Sequence, residues 1–122
     1  MNSPSKKPSI GLLVVRSDDM DRLAAFYTAL GFTFEKHSHP PCGKHYATSG
    51  TDCVFEIYKR KSDQPKRTEM FFGLNVSNVD DAVEAAVGHG GTIIRSAEDS
   101  EWGRSAIIRD LDGHRVMLSE SR

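Results

Sequence analysis

The feature that most constrains the fold is an internal repeat. Each half of the chain begins with an apolar strand-like run, continues into an amphipathic helix that ends at glycine, and closes with three further strand-like runs. When the halves are aligned without gaps, Met20 falls on Val79 and Gly31 falls on Gly90. A repeated supersecondary unit fixes the architecture, because neither copy can bury its apolar face alone. The order of elements therefore predicts two tandem βαβββ modules.

The repeat also sets the expected limits of the domain. We predict an α+β fold in which the two modules form a curved mixed sheet around a cleft, with the helices outside. The expected segments are a tail over residues 1–9, module one over 10–58, a basic linker over 59–68, and module two over 69–119, within a single domain spanning 10–122.

Both predicted helices carry start and stop signals. Asp18 and Asp19 are candidate caps for the first helix, and Asn78 caps the second. Gly31 and Gly90 follow the last apolar positions, where a residue with positive φ is favoured. These signals place one helix in each module.

Two hairpins are predicted from turn signals. The turn Asp110-Leu111-Asp112-Gly113 separates two apolar runs near the end of the chain. An earlier hairpin is expected about Ser49-Gly50-Thr51-Asp52, where a tight turn would pair Ser49 with Asp52. That register would place His45 directly opposite Glu56.

Composition excludes several classes of function. The chain has 122 residues and a net charge of −1, which gives no general affinity for nucleic acid. Its two cysteines are too few for a disulfide framework. No apolar run approaches the ~20 residues that a membrane span needs. We expect a cytoplasmic protein with neither a nucleic-acid partner nor a membrane partner.

The order of several short motifs resembles a known superfamily. Asp19-Met20-Asp21-Arg22 precedes Phe26-Tyr27 and Leu30-Gly31-Phe32, and the second half adds Asn78-Val79-Asp80-Asp81-Ala82, Trp102-Gly103-Arg104 and the Asp110 turn. Together they are similar to the vicinal oxygen chelate superfamily, which contains glyoxalase I, bleomycin-resistance proteins and extradiol dioxygenases. The resemblance extends from Ile10 to Ser119.

The resemblance implies where a metal would be held. Enzymes of the superfamily bind a divalent metal with side chains from the first and last strand of each half. Carried over with a register error of about one residue, those places are Leu12, Glu56, Phe71 and Met117. Only Glu56 can ligate, whereas a catalytic zinc site uses about three protein ligands. We therefore expect neither a metal nor another cofactor.

Glu56 and His45 are the candidate catalytic residues. Strand alternation places Glu56 on the face away from the helix, and a His–Glu pair in a cleft could act as an acid–base couple. The alternative is a structural ion pair or a polar floor for a ligand. His37 and His39 lie in a predicted loop, and their spacing fits no established metal motif.

Six residues are candidates to line a ligand site: Trp102, Tyr58, Arg115, Met117, Phe71 and Leu12. In the bleomycin-resistance branch, a Trp-Gly stretch borders the ligand groove, which by resemblance points to Trp102. Arg115 has the same strand parity as Met117. An inward arginine would favour an anionic ligand, and a solvated strand end is the alternative.

The sequence leaves three functions open. The leading expectation is a metal-independent small-molecule-binding protein of the glyoxalase/bleomycin-resistance type, which sequesters its ligand in an apolar cleft. The second is a lyase or isomerase of the lactoylglutathione lyase type that uses Glu56. The third is a structural or regulatory module without a ligand. A homodimer is expected, with the cleft within one chain or between two.

Overall fold

The computed structural model describes residues 7–39, 43–64 and 70–120. Its two modules have the predicted layout, so the α+β fold class is confirmed. The elements of module one are β1 (Leu12–Ser17), α1 (Met20–Ala29), β2 (Phe34–His39), β3 (Gly43–Thr48) and β4 (Val54–Lys59). Those of module two are β5 (Phe71–Val76), α2 (Val79–Gly88), β6 (Thr92–Ser100), β7 (Gly103–Arg109) and β8 (Arg115–Glu120).

The strands are divided between two four-stranded mixed sheets. The strand orders are β1-β4-β3-β2 and β5-β8-β7-β6, so each module repeats the other's topology. In both sheets the first and last strands of the module pair in parallel, and the remaining neighbours pair antiparallel. The first strand of each module, β1 or β5, is therefore an edge strand of its sheet.

The helices begin and end at the predicted signals. Asp19 caps α1 by accepting the backbone N–H of Arg22 at 3.1 Å, and Asn78 caps α2 in the same way. Gly31 and Gly90 adopt φ of +118° and +98°, which side chains with a Cβ rarely adopt. The local sequence therefore fixes both ends of each helix.

A single apolar core joins the two modules. Each helix packs on one face of its own sheet, and the two helices contact each other. The shared core contains Phe26 and Tyr27 from α1, Ala86 from α2, and Ile57 and Leu118 from the last strands of the two modules. The opposite faces of the sheets, away from the helices, are thereby left as candidate binding surfaces.

Two strand predictions need correction. β2 runs through His37 to His39, where a loop was predicted. In the β3–β4 hairpin, His45 lies opposite Tyr58 and not opposite Glu56. The loop between Thr48 and Val54 is longer than a tight turn, because the Thr48 hydroxyl bonds to Thr51 and accepts the N–H of Phe55. The register is consequently displaced by two residues, which preserves the face that each side chain occupies.

A buried carboxylate ties module one to the final hairpin. One oxygen of Asp110 accepts the hydroxyl of Tyr27 at 2.5 Å and faces Nδ1 of His114 at 2.7 Å. The other oxygen accepts the backbone N–H groups of Asp112 and His114. Burial, and to a smaller extent the negative charge of Asp110, raises the pKa of Tyr27 well above its usual range. The phenol therefore remains a hydrogen-bond donor. The Asp110 side chain is thus satisfied on both oxygens.

We predict that Tyr27→Phe lowers the free energy of unfolding by about 1–3 kcal/mol, because it leaves a buried carboxylate oxygen short of a donor. Tyr46→Phe is the matched control, since its hydroxyl bonds to the exposed Asp21 carboxylate at 2.6 Å. The control should cost less than about 1 kcal/mol. Urea denaturation measures both values, and equal losses would contradict a special role for the buried bond.

Candidate functional site

The sheet face of module one combines aromatic and ionisable side chains. Leu12, His45, Glu56 and Tyr58 lie on the face that points away from α1, as predicted from strand parity. The rings of His45 and Tyr58 stack with centroids 4.5 Å apart and planes 7° from parallel. Arg16 also lies over the Tyr58 ring, with Cζ 5.0 Å from the ring centroid. This face is an ordered aromatic surface.

His37 extends this surface onto β2. It lies directly opposite His45, with ring centroids 5.7 Å apart, and its Nε2 is 3.7 Å from a carboxylate oxygen of Glu35. His45 is only 5% exposed, and Nδ1 of its imidazole lies 3.3 Å from the carbonyl oxygen of Gly43. His45 therefore belongs to a packed stack.

Glu56 lies at the centre of the same face. Its backbone neighbours are Val14 on β1 and Ala47 on β3, both apolar. Within the described ranges, the half-buried carboxylate makes no hydrogen bond or ion pair. The predicted direct His45–Glu56 pairing is not formed, because Ala47 occupies the position opposite Glu56.

The sheet face of module two carries a groove beside Trp102. The groove encloses about 300 Å³, and its lining includes Trp102, Met117 and Ser119. Trp102 lies in the β6–β7 turn with its residue surface 82% exposed. The Ser100 hydroxyl accepts the N–H of Trp102 and donates to the carbonyl of Gly103, so the backbone that carries the indole is held in place.

The arginines on the rim of the groove are neutralised by neighbouring acids. Arg104 makes two bonds to the Asp80 carboxylate and one to Asp99, which raises the pKa of the guanidinium and lowers that of Asp80. Arg95 pairs with Glu98 at 2.9 Å. Because these cations are already paired, the groove itself presents mainly the indole and a thioether.

Phe71 and Arg115 lie further along the same face. They are direct neighbours across the β5–β8 pair, and Cζ of Arg115 lies 5.0 Å from the centroid of the Phe71 ring. Phe71 is 48% exposed. The cation therefore covers one part of an apolar ring that faces solvent.

The structure thus divides the predicted site residues into two groups. Leu12, Glu56, His45 and Tyr58 lie on module one, and the other four lie on module two. Sequence reasoning missed Arg95 and Ser105 in the groove, because irregularities in the β6–β7 pairing shift their register.

A second cavity, of about 480 Å³, lies where α1 meets the Asp110 turn. Asp18, Arg22 and Asp112 are among its lining residues. Burial raises the pKa of the Asp112 carboxyl group, and a hydrogen bond with the Ser17 hydroxyl partly offsets this increase. No sequence motif indicates a ligand there: Asp18 precedes α1, Arg22 lies in its first turns, and Asp112 belongs to the β7–β8 turn.

A family model matches residues 9–118 of the chain and carries the description Glyoxalase/Bleomycin resistance protein/Dioxygenase superfamily. The chain belongs to this superfamily. No curated protein matches the chain. In the part of the chain that the structure describes, no helix has the length and apolar character needed to cross a membrane.

Solved structures of the superfamily share the fold. An antibiotic binding protein, TnmS3 from Streptomyces sp. CB03234, is 19% identical, with a TM-score of 0.76 over 98% of this chain and 100% of that one. A glyoxalase-related enzyme from Fulvimarina pelagi is 18% identical, with a TM-score of 0.73 over 93% and 88%. Hypothetical protein SA1046 from S. aureus is 22% identical, with a TM-score of 0.66 over 93% and 97%.

The donor set does not fit the divalent metal that the superfamily's enzymes hold. The observed register places Val14 beside Glu56 and Gly73 beside Met117, whereas Leu12 and Phe71 lie two residues earlier on their strands. Glu56 is the one ligating side chain among these positions. Among the described residues, no three of His, Cys, Asp and Glu lie together in a way that could hold a metal ion.

We predict that added Zn²⁺ or Ni²⁺ does not bind stoichiometrically, because one carboxylate cannot supply the roughly three ligands that a catalytic site uses. Elemental analysis and calorimetry should give the same result for Glu56→Gln and for the unmodified protein. Glu35→Gln is the matched control, since Glu35 lies beside His37 on the same face. Stoichiometric metal that Glu56→Gln removes and Glu35→Gln retains would contradict the prediction.

Proposed function

We propose that this protein binds a small, largely apolar molecule without a metal and acts by sequestering it in the groove beside Trp102. The observation that carries the proposal is the exposed indole at a groove lined by Met117. An exposed tryptophan is typical of a contact surface, because a large apolar ring gains most when a ligand covers it.

The construction of the groove supports this proposal. Ser100 fixes the turn that carries Trp102, and Arg104 is held by Asp80 and Asp99. A rim that is already ordered loses little conformational entropy when a ligand binds. TnmS3, which has the same fold, is an antibiotic binding protein, and the function proposed here is of the same class.

A second candidate is a glyoxalase-type lyase or isomerase that uses Glu56 as a base. The half-buried carboxylate without an ion pair among the described residues favours it. Such a base would act on a substrate carbon acid lying on the module-one face. Turnover of a hemithioacetal, lost in Glu56→Gln, would establish this reaction in place of sequestration.

We further propose a homodimer in which a second copy covers part of the sheet faces. Leu12 is 55% exposed, and Phe71 is also solvent-facing on the other module. Covering such residues is a general source of association energy.

Cys53 is a free thiol, which is compatible with the reducing cytoplasm that we propose for the protein.

We predict that biphenyl-4-carboxylate, chosen as an elongated aromatic probe, quenches the emission of Trp102 equally with and without EDTA. Trp102→Ala should weaken its binding about tenfold or more, measured by calorimetry, because the largest apolar contact is removed. Ile94→Ala is the control, since Ile94 is an exposed apolar residue on β6 outside the groove lining. Equal affinities for both variants, or a requirement for metal, would contradict the proposal.

A further inference from the structure

Two arginines meet on the sheet face of module two. Arg109 on β7 and Arg115 on β8 are direct cross-strand partners, and the next pair on the same face is Ile107 with Met117. Like charges directly opposite each other across a sheet are destabilising. The chain nevertheless carries this pair beside Phe71, so the local positive charge needs an explanation.

No carboxylate neutralises the pair within the described part of the chain. Arg109 donates one bond, from Nη1 to the carbonyl oxygen of Gly113 at 3.2 Å. Arg115 lies over the Phe71 ring without an ion pair or side-chain hydrogen bond to another described residue. The arginines of the groove rim differ, because Arg95 and Arg104 both pair with acids.

The unneutralised pair lies in line with the Trp102 groove. Ser119 lines that groove, Met117 follows towards the other end of β8, and Arg115 is two residues beyond Met117. At about 3.3 Å per residue, the backbone distance from Ser119 to Arg115 is about 13 Å. One elongated molecule can therefore contact the indole at one end and the guanidinium groups at the other.

We propose that the ligand of this site is an elongated aromatic carboxylate, with its ring system against Trp102 and Met117 and its carboxylate between Arg109 and Arg115. The planar guanidinium of Arg115 offers two parallel donors to a carboxylate and is already oriented by the Phe71 ring. The inference rests on the proposed binding function and adds the chemical class of the ligand and its direction in the groove.

The test compares biphenyl-4-carboxylate with biphenyl-4-carboxamide, which has the same rings and no charge. The single tryptophan gives one indole N–H signal, so titration followed by ¹H–¹⁵N NMR reports on the groove directly. The carboxylate should bind about tenfold more tightly than the carboxamide, as expected for hydrogen bonds to a charged group. Arg115→Gln should remove this difference, and Arg115→Lys should retain part of it.

Arg16→Gln is the matched control, because Arg16 also lies over an aromatic ring, that of Tyr58, but on the sheet face of module one. It should leave the preference for the carboxylate unchanged. If both probes bind with equal affinity, or Arg16→Gln and Arg115→Gln reduce the preference equally, the ligand class is wrong while the binding function stands. If neither probe shifts the indole signal at millimolar concentration, both proposals fail.

Discussion

The carboxylate of Asp110 is the contact on which the arrangement of the two modules depends. It lies in the turn between β7 and β8, yet it accepts the hydroxyl of Tyr27, which belongs to the helix of the other module. Its second oxygen holds the backbone of the turn. The same group therefore fixes the hairpin register and the position of that hairpin against α1. Because Arg109 and Arg115 flank this turn, their meeting on the sheet face follows from it.

The two modules share a topology but present different chemistry. Equivalent places on the last strands hold Glu56 in module one and Met117 in module two, and the adjacent first strands hold Val14 and Gly73. Module one gives a stacked, partly ionisable surface around His45. Module two gives an apolar groove with cationic groups at one end. A repeated fold thus yields one face with a groove beside Trp102 and another that carries a single central carboxylate.

Much of the fold could be predicted from the sequence, because its signals are local. The helix caps at Asp19 and Asn78 and the turn glycine Gly113, with φ of +91°, act within a few residues of where they stand. The side-chain bonds of Thr48 lengthen one hairpin loop, and strand propensity does not reveal them. The Tyr27–Asp110 bond joins residues from different modules, so no local pattern could indicate it.

The candidate site was harder to predict, because it depends on register. Strand parity placed Glu56, Tyr58, Arg115 and Met117 on their faces correctly. The opposition of Arg109 and Arg115 also follows from the turn, but the acids that neutralise other arginines come from distant elements, such as Asp80 on α2. Which cations remain unpaired is therefore a property of the folded chain.

The most direct test of the proposed ligand site is a crystal structure of the protein grown with biphenyl-4-carboxylate. We expect density for the probe along β8, with its rings against Trp102 and Met117 and its carboxylate at Arg115. Density for the probe beside Glu56 on the module-one face, or in the cavity at the Asp110 turn, with the Trp102 groove empty, would contradict it.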